Sequence, residues 1–197
     1  MSRRPTRPAD GGFTLLETMV ALGIVGTVMA SLSVFFVRSA TVEHRQADVQ
    51  VAAQLATSSM DYVSQLPAQN VLLGRTQAAV QNEPGVSTYL DSRTELAWQD
   101  PSLPASTTVQ GLPTAPEAIR LTGDSTPYQR WWYVGSCWQP ATGGNCVVVP
   151  TAQRSLYAQM YRIVVAITWP SPDCAGGQCQ YVASMLTEAT LDDPTWL

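Results

Sequence analysis

The feature that most constrains this chain is an apolar run over residues 13–37, where Glu17 is the only charged residue, behind a short polar stretch carrying Arg3, Arg4, Arg7 and Asp10. Those 25 residues make one helix of about 37 Å, enough to cross a hydrocarbon core of about 30 Å with some tilt. The three arginines before the run outweigh Arg38 after it, so the positive-inside rule keeps the N-terminus in the cytoplasm and sends the rest of the chain outward. A carboxylate near the start of such a span costs about 2–3 kcal/mol unless it finds a partner. Glu17 is therefore a candidate for a function. If the chain were cut before Phe13, the new α-amino group would lie about one helical turn from Glu17, on its own chain or on a neighbour. Ammonium and carboxylate would then compensate each other in lipid, which favours assembly.

Gly11, Gly12, Phe13, Thr14, Leu15, Leu16 and Glu17, behind a basic leader and ahead of the apolar run, resemble the class III signal of type IV prepilins and pseudopilins. The resemblance implies a leader at 1–12 and cleavage between Gly12 and Phe13 by the prepilin peptidase and N-methyltransferase. It implies N-methylation at Phe13 and an assembly role for Glu17. The partners it implies are that enzyme, other pilin subunits and the cytoplasmic membrane. The protein would wait there as a single-pass subunit with its head outside the cytoplasm, then enter a surface pilus or pseudopilus. The chain is similar to PilV-type minor pilins, and Val34, where major pilins often carry proline, favours a minor subunit. Two rival readings remain. One is a minor pseudopilin of a type II secretion system. The other is a binding domain, either secreted by an ordinary signal cut after Ala30, where Val28 and Ala30 supply a small-residue site before Ser31, or membrane-anchored by the same span left unprocessed.

Beyond Arg38 the helical pattern continues in amphipathic form. Val42, Val49, Ala56 and Val63, joined by Ala52, Ala53, Met60 and Leu66, make one apolar stripe. Arg38, Glu43, Arg45, Asp48 and Asp61 are interleaved as solvated charges, and Pro67 ends the pattern. A helix over 13–66 would be about 80 Å long. Its first part, 13–37, serves as the transmembrane and polymerisation segment, and its second, 38–66, packs on the head. Eleven of the 14 prolines lie from Pro84 to Pro194, so 67–127 reads as a Pro/Gly-rich connecting region, with a long surface loop over 100–127. Segments 128–137, 146–149, 157–169 and 180–190 are enriched in Val, Ile, Thr and aromatics, which predicts strands. Residues 155–160 could instead extend a short helical turn. The expected fold is α+β: a pilin-like lollipop whose long N-terminal helix packs on a small antiparallel β head at 128–197.

Cys137 and Cys146, and Cys174 and Cys179, flank two glycine-containing loops. Four cysteines allow three connectivities. In an oxidising compartment, local pairing would staple both loops, each worth about 2–3 kcal/mol, whereas the spacings fit no common zinc ribbon. Trp131, Trp132, Tyr133 and Trp138 read as core positions of a strand in preference to an exposed binding surface. All 11 basic residues are arginine and His44 is the single histidine, which removes lysine-based covalent chemistry, a P-loop and two-histidine sites. No catalytic residue, metal site or cofactor is assigned, and the chain is not expected to be an enzyme. The net charge of -4 argues against nucleic acid as a partner.

Overall fold

The computed structural model describes residues 14–101 and 111–189. Its first element, α1, is a 50-residue helix over Leu15–Ser64, about 75 Å long. Thr14 starts it: its Oγ1 accepts from the Glu17 N–H at 3.3 Å, one of the first-turn N–H groups without a partner four residues back, and its carbonyl accepts the first helical bond, from the Thr18 N–H at 3.2 Å. At the far end, the Gln65 and Leu66 N–H groups bond back to the Tyr62 and Val63 carbonyls. This tightens the last turn two residues short of the expected end, just before Pro67.

The chain divides into two compact units, Met1–Ala47 and Asp48–Leu197. The described part of the first is helix alone. Its Leu15, Leu16, Met19, Leu22, Ile24, Met29, Phe35 and Phe36 are all exposed, so apolar side chains surround the helix instead of forming one stripe, the pattern of a segment that lies in lipid or among other helices.

In the second unit, the remainder of α1 presents Ala52, Ala56, Ser59 and Val63, all buried, at helical spacing. The stripe expected from the sequence started too early: Val42 and Val49 are exposed. A seven-residue repeat drifts about 20° per heptad around a straight helix, so only its later members meet the core. Small side chains at Ala52 and Ala56 let the helix backbone approach closely.

The head is an antiparallel sheet of five strands: β1 (Glu95–Leu96), β2 (Glu117–Ile119), β3 (Tyr128–Pro140), β4 (Tyr157–Pro170) and β5 (Gln178–Glu188). The order is β1-β3-β4-β5, with β2 also pairing β3. Together, α1 and this sheet make the α+β, pilin-like fold. Successive residues of β3 and β4 are buried on opposite faces. Trp132, Val134, Ile163, Val165 and Ile167 join the core with Ala52, Ala56 and Val63. Tyr133, Val164 and Ala166 pack with Leu90, and with Val86, Tyr89 and Leu96, on the other side. Burial on both faces explains why the middle of each strand, residues 131–134 and 163–167, is a continuous apolar run without alternation.

Residues 146–149, expected as a strand, contribute only a single bridge between Val147 and Trp138. Residues 155–160 divide between a 3-10 helix over Thr151–Leu156 and the start of β4. Within the stretch read as connecting loop, the chain forms short helices α2 (Ala68–Val71), α3 (Gln77–Gln81) and α4 (Val86–Tyr89), as well as β1 and β2. Gly135 admits β1 beside β3: a Cβ there would lie 3.0 Å from Thr94 Cβ and 3.1 Å from the Glu95 carbonyl.

Candidate functional site

The residues expected from the sequence to be functional, Gly12, Phe13 and Glu17, cluster around the start of α1. Gly12 and Phe13 lie outside the described residues. Glu17 is in the first turn of the helix, exposed, as the third residue after the start residue Thr14. The pair Thr14 and Glu17 has the Thr-x-x-Glu spacing of a helix-start capping motif, and the bond from Glu17 N–H to Thr14 Oγ1 is one half of it. A carboxylate in a first turn is also favoured by the partial positive charge of the helix N-terminus. Glu17 thus has a local electrostatic reason for its place as well as any role between subunits. The Thr14–Glu17 spacing is itself a sequence signal of a helix start, less conspicuous than the apolar run that follows it.

Downstream, the segment is finished for an apolar medium. Every described serine or threonine hydroxyl from Thr18 to Ser33 is turned inward to a carbonyl of its own helix: Thr18 to Leu15 at 2.8 Å, Thr27 to Ile24 at 2.8 Å, Ser31 to Thr27 at 2.9 Å and Ser33 to Met29 at 2.9 Å. In hydrocarbon an unpaired hydroxyl costs several kcal/mol, and these bonds remove that cost without a partner chain. Gly23 and Gly26 have nothing within 4 Å of where a Cβ would sit. Nothing among the described residues requires them to be glycine. A helix long and apolar enough to cross a membrane begins at Leu15, and none of its apolar window is buried.

The head holds its loops by covalent and ionic ties. Cys137 is bonded to Cys146 and Cys174 to Cys179. Trp132, Tyr133 and Trp138 are buried, so the aromatic cluster is core and not a surface. Arg75 and Glu83, which sequence reading did not single out, form a fully buried ion pair at 2.9 Å. Arg75 also donates to the carbonyls of Leu112, Pro113 and Trp132, tying the loop at 111–113 to β3. Burial pushes the Glu83 carboxyl up to about 7, against the opposing pull of Arg75. No spacing or pattern announces a pair of this kind, because its members come from irregular chain brought together only by the fold.

A second ionic relay joins α1 to the sheet. Arg130 donates to Ser59 Oγ at 3.1 Å and to Glu117 at 2.9 Å, and Glu117 also accepts from Trp132 Nε1 at 3.0 Å. Tyr128 donates to Asp48 Oδ1 at 3.3 Å, and burial raises its phenol above its ordinary pKa.

A model of the prokaryotic N-terminal methylation motif matches residues 7–33 of the chain, a stretch that runs from Arg7 through the start of α1 and most of its exposed apolar part. This signal, with a long helix followed by an antiparallel sheet, supports a likeness to type IV prepilins and pseudopilins. No curated protein and no solved structure matches the chain. The apolar helix and the motif together fit a membrane-anchored protein with an external head.

Proposed function

We propose that this protein is a minor type IV pilin of the PilV-like kind, cut by prepilin peptidase between Gly12 and Phe13, N-methylated at Phe13, and assembled through residues 13–37 into a pilus or its initiating or tip complex. The observation that carries this reading is the coincidence of the methylation motif at 7–33 with a helix whose apolar side chains are left exposed by the described residues. Such a segment needs lipid before assembly and neighbouring helices after it, and a filament core supplies the second. The leader at 1–12 would then be removed, 13–37 would serve membrane and filament in turn, and 38–66 would connect to the head. Glu17 would pair with the new α-amino group of an adjacent subunit. The reading makes the protein a structural subunit that other enzymes process.

The deciding experiment is mass spectrometry of the N-terminus from the native host, together with fractionation of sheared surface filaments. N-methylated Phe13 in the filament fraction is the expected result. Methylated Phe13 that stays in the membrane and is needed for exoprotein release would instead identify a secretion pseudopilin, and a chain starting at Ser31 would identify a secreted domain.

A further inference from the structure

The two edges of the sheet are treated very differently. The outer edge of β3 is covered in relay: β2 pairs with residues 128–130, the Ala97 N–H bonds to the Val134 carbonyl, β1 pairs with Gly135 and Ser136, and Val147 bridges to Trp138. On the outer side of β5 no strand is present among the described residues. Exposed edges are usually blunted by proline, lysine, a bulge or shortness. β5 has none of these. Its 11 residues, QCQYVASMLTE, contain no proline and no basic residue, and they pair with β4 in unbroken register.

Beside that edge lies a positively charged recess. Arg162, Val164 and Ala166 face Leu186, Ser184 and Val182 across the β4–β5 pair, so all six lie on one face of the sheet. Val182 and Leu186 are each 43% exposed. At the Leu186 end is a cavity of about 370 Å³ lined by Arg93, Asn145, Cys146, Arg162, Ser184 and Leu186, with Met185. Both arginines converge on one oxygen: Oδ2 of Asp91 accepts from Arg93 Nη2 at 2.6 Å and from Arg162 Nη1 at 3.2 Å. Two guanidinium groups against one carboxylate leave an excess positive charge with N–H donors to spare, on a chain whose net charge is -4.

We propose that the β5 edge and the Arg93/Arg162 recess together form a docking site for an extended acidic peptide segment of another protein, added to the sheet as a strand. Main-chain bonds to β5 would supply registry, Val182 and Leu186 would meet apolar side chains of the guest, and a guest carboxylate would enter the recess. A second copy of the chain pairing through β5 answers this less well, because β5 offers one acid, Glu188, at its very end. The inference does not depend on the proposed filament role.

The test uses the full chain in detergent micelles and leaves the protein unaltered in its main arms. The probe is a fluorescein-labelled ten-residue peptide alternating valine with aspartate and threonine, followed by anisotropy. Three comparisons accompany it: the same peptide with lysine for aspartate, the same peptide N-methylated at alternate amides, and competition by an acidic polysaccharide. Binding of the acidic peptide, weakened at least tenfold by either peptide change and by Arg93→Gln/Arg162→Gln, is the expected outcome. Absence of binding, equal binding of the lysine peptide, or undiminished binding of the N-methylated peptide would overturn strand addition. Equal displacement by the polysaccharide would show carboxylate capture alone and overturn it too. If the double arginine variant fails to fold, the peptide comparisons still decide.

Discussion

At the scale of single residues, the two carboxylates that matter most are in opposite situations. Glu17 is exposed in the first helical turn, with its own N–H bonded to Thr14, so its removal takes away little inside the chain. Glu17→Ala is expected to leave membrane insertion and head folding intact and to reduce recovery in sheared filaments at least tenfold; normal recovery in immunoblots of that fraction would sink the assembly role. Glu83 is buried against Arg75. Glu83→Ala would strand a buried guanidinium and cost about 3–5 kcal/mol, whereas Arg75→Met/Glu83→Leu, which replaces both charges with apolar groups, should recover most of that loss. Denaturant midpoints of the two variants check this. The pair also sets a pH dependence. The Glu83 carboxyl titrates near 7 in the fold against an ordinary 4.5, so the folded state holds a proton that the unfolded chain has released between those values. Its contribution is fully present below about 4.5 and is lost as pH rises through about 7. Melting curves should show the wild type losing more stability than Glu83→Gln between pH 5 and 8, and parallel slopes would contradict the assignment.

At the scale of elements, legibility followed the length of the signal. The long helix was readable because the apolar run, the amphipathic stripe after it and the stop at Pro67 point the same way, and β3, β4 and β5 were readable from Val, Ile and aromatic density. The short helices between Pro67 and Leu90 were not, since elements of 4 or 5 residues hold together through tertiary contacts such as Arg75 and carry no period of their own. The segment 146–149 misled for the converse reason: Cys146, Val147, Val148 and Val149 have strand composition, but the edge they reach already holds β1 and β2, leaving room for one bridge. Among the site residues, Glu17 stood out because a lone charge in an apolar run is conspicuous. The recess at Arg93 and Arg162 did not, because the two residues are 69 positions apart and meet only through Asp91. The apolar helix supports one more prediction at this scale. Among the described residues nothing lies within 4 Å of a Cβ added at Gly23 or Gly26, so Gly23→Ala/Gly26→Ala should stabilise the isolated helix by about 1 kcal/mol per site. If neighbouring helices pack on those glycines, filament yield should nevertheless fall. Unchanged yield with raised helicity by circular dichroism would show that the glycines face lipid or solvent in the filament as well.

At the scale of the whole molecule, one continuous helix runs through three physical settings. Residues 15–37 are apolar on every side with their hydroxyls bonded internally, so a membrane or micelle protects their amides. From Asp48 onward α1 belongs to the compact unit of the head, and Ala52, Ala56, Ser59 and Val63 are sealed against the sheet. Residues 38–47 have neither shelter: Arg38, Glu43, His44 and Arg45 lie there, Val42 is exposed, and none of the helix's buried residues falls in this span. A helix of about ten residues is marginal in water by itself, so its stability here is borrowed from the segments on either side, and local opening should be cheapest in this span. Hydrogen exchange on the full chain in micelles should therefore give two strongly protected stretches separated by a minimum at 38–47, with amides there exchanging at least a hundredfold faster than those at 52–63. Uniform protection along α1 would mean that the helix behaves as a single cooperative rod, and the middle stretch would then need a partner that the described residues do not supply. The same experiment on assembled filaments carries the reasoning one step further. If subunits pack only through 13–37, the minimum should persist after assembly, and if neighbouring heads close over 38–47 it should fill in.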